Sequence, residues 1–207
     1  MNAHSIPVLV MAGITLYVGV YHLFLYLRLR RNRWDLTFAL TCLVICAYDL
    51  VSVGLYNVQS AEEGVVWQRW QVILLGLSGI ATLHFVADYT QRVPRRMLLG
   101  LTVFYAITSL FHLIDRSALT WLDEASIKHV LLPGDYVLTY YEATPGPAVL
   151  VHSAVGLLTF VYAFYVAIKM YRAGERAMAV PLILAMSPFL LCVFNDTAVS
   201  SGVGNSL

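Results

Sequence analysis

Six apolar stretches, each close to the length of a membrane-crossing helix, constrain this chain more than any other feature. They run approximately Val8–Leu29, Leu36–Tyr56, Trp70–Thr90, Met97–Ile114, Ala148–Ile168 and Met178–Phe194. A helix needs about 20 mostly apolar residues to cross the hydrocarbon core. Inside that core the backbone must satisfy its own hydrogen bonds, which leaves helices or closed barrels. Barrel strands are short and alternating, and these runs are long and continuous. The predicted fold class is all-α: a polytopic membrane helix bundle of six spans, forming one transmembrane domain over residues 1–207.

Composition agrees. Charged residues make up 12% of the chain and apolar residues 59%, whereas soluble domains carry roughly 25% charged residues. So little polar surface cannot face water all round. A net charge of +1 excludes nucleic acid as a partner, because phosphate contacts need a concentrated basic face. Three cysteines cannot staple a disulfide scaffold. The first stretch is too long for a signal peptide, lacks a basic segment before it, and is followed by an arginine cluster. It reads as a retained helix.

Orientation follows from the cations. Arg28, Arg30, Arg31 and Arg33 follow the first span, Arg92, Arg95 and Arg96 the third, and Lys169, Arg172 and Arg176 the fifth. The positive-inside rule makes that side cytoplasmic and the N-terminus exoplasmic. The opposite loops hold Glu62, Glu63, Asp115, Asp123, Glu124, Asp135 and Glu142. Six spans then leave Ser200–Leu207 outside. The closing Ser201-Gly202-Val203-Gly204-Asn205-Ser206 reads as a loop leading onward, with the expectation of a seventh helix beyond it.

One long segment, Asp115–Pro147, lies outside the spans. Within it Leu131–Leu132 and Tyr136–Tyr141 flank Pro133-Gly134-Asp135, a hairpin by turn chemistry and β-propensity. Long loops are usually functional or mobile, and a lid over the helix ends is the plainer reading.

Ionisable groups at membrane depth are informative because each costs roughly 2.5–3.5 kcal/mol at a helix centre on insertion scales. At about 1.5 Å per residue, His22 and His84 sit roughly 10 Å above the cytoplasmic helix ends, with Asp88 nearer that interface. Asp49, His112, His152, Asn195 and Asp196 come from four helices yet share a level roughly 20–26 Å up. This predicts an outer-half cavity under the long loop. Local satisfaction by a carbonyl or interfacial water explains His112 and Asp196 as simply. Asp49, between Tyr48 and Leu50 in an apolar run, points to function.

Other signals are weaker. Cys42 and Cys46 share a helical face, but buried cysteine commonly fills cores, so all three cysteines are expected as free thiols and no metal site is expected. Pro181 and Pro188 would kink the sixth span, and Gly76 and Gly79 fit close helix packing. No Walker motif, dinucleotide fingerprint, His-Glu-x-x-His pair or nucleophile elbow is present. No enzyme activity is expected. No cofactor is expected either, with haem as the alternative: His22 with His84, and His112 with His152, are pairs at matched depth, and Gly19 and Gly156 lie a turn from His22 and His152.

Several stretches carry a resemblance. They are Tyr21-His22-Leu23-Phe24 before the arginine-rich turn, Asp35–Asn57 with Asp49 inside it, and Phe85-Val86-Ala87-Asp88-Tyr89-Thr90. A fourth is Tyr140-Tyr141-Glu142 leading through Gly146-Pro147 to Val151-His152. The chain resembles the seven-helix N-terminal sensory region of bacterial histidine kinases and the seven-transmembrane receptors with diverse intracellular signalling modules. It departs from them in ending before a seventh helix and a cytoplasmic transmitter. The resemblance implies a multi-pass protein of the bacterial inner membrane, whose partners are the lipid bilayer and a cytoplasmic signalling module or partner protein.

The expected function is a sensory or receptor input domain that detects a small ligand or a membrane-state signal in the outer cavity. Asp49, His112, His152, Asn195 and Asp196 would line that cavity, and Trp121, Tyr140 and Tyr141 would cover it. The alternatives are a haem-binding membrane cytochrome using His22, His84, His112 and His152, or a non-catalytic accessory subunit of a larger membrane complex; a homo-oligomer is the other assembly expected.

Overall fold

A computed structural model describes residues 5–114, 126–132, 136–142 and 144–187. Five helices are long and apolar enough to cross a membrane. They are α1 (Ser5–Leu25), α2 (Arg33–Tyr56), α3 (Ala61–Thr90), α4 (Arg95–Ile114) and α5 (Pro147–Arg172). A shorter apolar helix, α6 (Arg176–Ser187), follows. The sixth expected span is described only over that part, and the rest of it, with Pro188 and Cys192, lies outside the described residues. Between α4 and α5, β1 (Ser126–Leu132) pairs antiparallel with β2 (Tyr136–Glu142), from Ser126 opposite Glu142 to Leu132 opposite Tyr136. The expected hairpin is there, longer than turn chemistry alone defined it. The spans are helical as expected, and the loop carries the hairpin expected of it.

Helix ends explain where the expected spans fall short. α3 starts nine residues before Trp70 because Ser60 caps it: the Glu63 N–H donates to Ser60 Oγ at 3.2 Å, while Glu63 Oε2 accepts from the Gln59 N–H. This is close to a capping box, which lets a helix begin in polar sequence. α3 then ends at Gln91, whose left-handed backbone (φ 54°) aims its N–H at the Ala87 carbonyl. At the end of α1 the chain widens into one π-turn, Tyr26–Arg30, before Arg31 breaks it with φ 48°.

The chain divides into two compact units, residues 1–159 and 160–207. In the first, consecutive helices pack antiparallel. α1 buries only Ser5, Ala12 and Gly19, a seven-residue repeat of small side chains that lets backbones approach. At Gly19 an added methyl would stand 3.1 Å from Cys42 Cβ, and at the other end Asn57 Nδ2 donates to Ser5 Oγ at 2.7 Å. α2 and α3 join through Gln71 Nε2 and Ser52 Oγ at 3.1 Å, and through the Trp67 indole lying flat against Gly54. Val10, Met11, Ile14, Tyr17, Val20 and Phe24 of α1 remain exposed, as a lipid-facing surface requires.

In the second unit α5 ends in a Schellman turn. Gly174 (φ 89°) donates to the Tyr171 carbonyl and Glu175 to that of Met170, the pattern that satisfies the last carbonyls of a helix. The Arg176 guanidinium rests 5.3 Å above the Tyr171 ring.

Candidate functional site

Tyr105, Thr108, Ser109 and His112 recur on α4 at spacings of three, one and three, which puts them on one helical face. His152, Gly156 and Thr159 form the matching face of α5. The two meet along a polar seam closed by Gly76 and Gly79 of α3. His152 is 1% exposed and His112 2%.

The protons of this seam can be assigned. Thr108 Oγ1 donates to the Phe104 carbonyl at 3.0 Å, shared with that of Tyr105 at 3.3 Å. A hydroxyl has one hydrogen, so while Thr108 keeps its backbone bond it is the histidine that donates at the 2.9 Å contact with His152 Nδ1. Neutral His152 then keeps a bare lone pair on Nε2. That atom and Ser109 Oγ are buried with no hydrogen-bond partner among the described residues. Both face Gly76. A methyl group there would lie 2.6 Å from His152 Cε1, 3.0 Å from Nε2 and 2.7 Å from Ser109 Oγ, so only glycine fits. Deeper along the seam Tyr105 donates to Thr159 Oγ1 at 3.2 Å, and Thr159 passes its own hydrogen to the Val155 carbonyl at 2.8 Å.

His112 and His152 do not form the expected pair at a haem. The rings of His112 and His152 touch edge to face, centroids 5.3 Å apart. Axial ligands must aim nitrogens at one iron from opposite faces of a macrocycle, and touching rings leave no space for it. His22 Nδ1 instead meets Asp35 Oδ1 at 2.9 Å, and His84 Nε2 meets Thr102 Oγ1 at 3.0 Å. The His112–His152 geometry does not fit the group.

Around His22 an aromatic cluster ties three helices at the arginine-rich end. Phe38 lies 4.7 Å from the His22 ring, Phe85 4.9 Å from Phe38, and Tyr89 5.9 Å from Trp34, between ring centroids.

Of the residues expected to share a cavity, His112 and His152 are brought together. Asp49 is not shown with them. Helical spacing puts it on the row of Asp35, Ala39, Cys42 and Cys46, which Gly19 and His22 identify as the row meeting α1. It is half-buried and makes no hydrogen bond among the described residues. Trp121, Asn195 and Asp196 lie outside the described residues. Tyr140 and Tyr141 stand in β2, opposite Lys128 and Ile127. Cys42 and Cys46 are free and buried.

Sequence reasoning looked for ionisable groups at depth and so passed over Thr108, Ser109 and Thr159, while Gly76 was read as a packing residue. The available signal was the hydroxyl spacing on α4, in register with the histidine.

Long apolar helices in antiparallel succession, with buried polar side chains at their seams, define a multi-pass membrane protein. The chain belongs to the family described as 7TM diverse intracellular signalling, which matches residues 6–206. No curated protein and no solved structure matches the chain significantly. It is a receptor-type membrane region of a signalling protein.

Proposed function

We propose that this domain is the sensory input of a bacterial inner-membrane signalling protein, and that the α3–α4–α5 seam is its responsive element. The family match carries the first part. The second rests on His152 Nε2 and Ser109 Oγ, two buried polar atoms held unpaired against Gly76. Leaving such an atom unpaired costs about 1–3 kcal/mol. An arrangement of the helices that separates them at Gly76 would let a ligand hydroxyl, or a water, accept from Ser109 and donate to His152. A ligand shifts helix positions only by the difference in its affinity for the two arrangements, and this pair of atoms supplies one. In this reading the N-terminus and the hairpin are exoplasmic, and the arginine-rich turns face the cytoplasmic output module.

The test replaces the membrane region of a histidine kinase with residues 1–207 and measures autophosphorylation. His152→Gln and Ser109→Ala should each shift basal activity at unchanged abundance, while Gly100→Ala, which meets nothing within 4 Å, should not. Equal activity in all four chimeras overturns the reading.

A further inference from the structure

A second polar site lies at the opposite end of the same helices. A cavity of about 640 Å³ opens where the start of α2, the end of α3 and the start of α4 converge, lined by Arg33, His84, Asp88, Gln91, Arg95 and Leu98 among others. That volume is within the roughly 300–1,000 Å³ of small-molecule sites. Arg33 is the first residue of α2 and Arg95 the first of α4. Among the described residues neither arginine has a carboxylate partner, and Asp88 has no cation.

The lining divides into donors and acceptors. Two guanidiniums present forked donors suited to phosphate oxygens. Asp88 accepts only, when ionised. His84 joins it: while Thr102 Oγ1 gives its hydrogen to the Leu98 carbonyl at 2.7 Å, His84 Nε2 is the donor at the 3.0 Å contact. Its Nδ1 is left as an acceptor. Two cations and one carboxylate leave one positive charge, which one phosphodiester balances. The remaining acceptors then call for hydroxyls rather than for a second charge.

We propose that this cavity binds a phosphodiester bearing a hydroxylated substituent, the chemistry of a phosphoglycerol group, with Arg33 and Arg95 on the phosphate and Asp88 and His84 on the hydroxyls. The group can arrive as a lipid headgroup or as a soluble phosphodiester. The site is independent of the sensory reading of the α3–α4–α5 seam, and its test does not use signalling output.

Native mass spectrometry of the whole chain in detergent reads it directly. One phosphatidylglycerol should stay bound per chain, in preference to phosphatidylethanolamine and to phosphatidylmethanol, which keeps the anionic diester and lacks the hydroxyls. Arg33→Gln with Arg95→Gln should lower that binding at least tenfold. Arg92→Gln with Arg96→Gln removes the same charge from the same end and should leave it within twofold. Asp88→Asn should bring phosphatidylglycerol and phosphatidylmethanol level. If the glutamine pair unfolds, the Arg33→Lys, Arg95→Lys pair keeps the charge, loses the fork and should still bind several-fold more weakly. Competition by glycerophosphoglycerol would identify a soluble source, and its failure a lipid. Equal losses in the two glutamine pairs, or phosphatidylethanolamine held as tightly as phosphatidylglycerol, would overturn the proposal.

Discussion

Asp35 and His22 meet at 2.9 Å across the α1–α2 turn, with the Asp35 side chain wholly buried and that of His22 20% exposed. Asp35 Oδ2 has no hydrogen-bond partner among the described residues, so His22 is its principal polar contact. The pair fixes α1 against α2 one turn before α1 widens into its π-turn. A buried polar atom that loses its partner costs about 1–3 kcal/mol, more when charged.

His22→Leu should therefore destabilise the protein by at least that range, read as an earlier loss of monodisperse protein on heating in detergent. Adding Asp35→Leu should recover much of the loss, because replacing both partners by apolar groups removes the stranded atom. A double variant no more stable than His22→Leu would show that the pair does not hold the turn.

Gly76 gives a sharper steric test. A methyl group there meets the His152 ring and Ser109 Oγ at 2.6–2.7 Å, and His152, 1% exposed, has little room to retreat. Gly76→Ala should cost about 1–3 kcal/mol, as overpacked cores do. Gly100→Ala, with nothing in reach, should be neutral or gain up to about 1 kcal/mol from helix propensity. Thermal unfolding of the two variants side by side decides it; equal stability would mean that α3 and α5 are not in contact at Gly76.

The bundle was legible in the sequence because hydropathy over about 20 residues is a property of a segment and needs no partner. The hairpin was legible because Pro133-Gly134-Asp135 sits between β-formers. The seams were not. Whether His152 bonds to Thr108 or pairs with His112 depends on helix rotation, and rotation is set by small residues such as Ser5, Ala12 and Gly19, whose weight appears only when a neighbour packs on them. The matched depths of the histidines were read correctly along the axis for His112 and His152, whose rings touch. Depth says nothing about azimuth. That is why Asp49, level with them, falls on the row meeting α1.

Topology can be checked without any ligand. Gln59 and Asn32 are exposed at opposite ends of α2. In a background lacking the three native cysteines, Gln59→Cys should react with an impermeant maleimide in intact cells, and Asn32→Cys only after lysis. The reverse pattern would place the arginine-rich turns outside and contradict the positive-inside reading.

Asp49 carries the last prediction. Its row meets α1 through Gly19 opposite Cys42 and through Asn57 bonded to Ser5, so Asp49 stands near the level of Ala12 and Gly13. Ala12 and Gly13 themselves offer no polar side chain, and Asp49 has no hydrogen-bond partner among the described residues. A carboxylate in an apolar seam must be protonated, hydrated or paired. Removing an unpaired polar group in favour of an apolar one is neutral or stabilising. Asp49→Leu should therefore melt no earlier than the wild type, and Asp49→Asn, equal in shape, should match it. Both should nevertheless shift basal autophosphorylation of the kinase chimera by about threefold or more, a change on the order of 0.7 kcal/mol in the balance of helix arrangements. A stable Asp49→Leu protein with unaltered output would mean that the carboxylate is tolerated rather than used. An early-melting one would mean that it is paired.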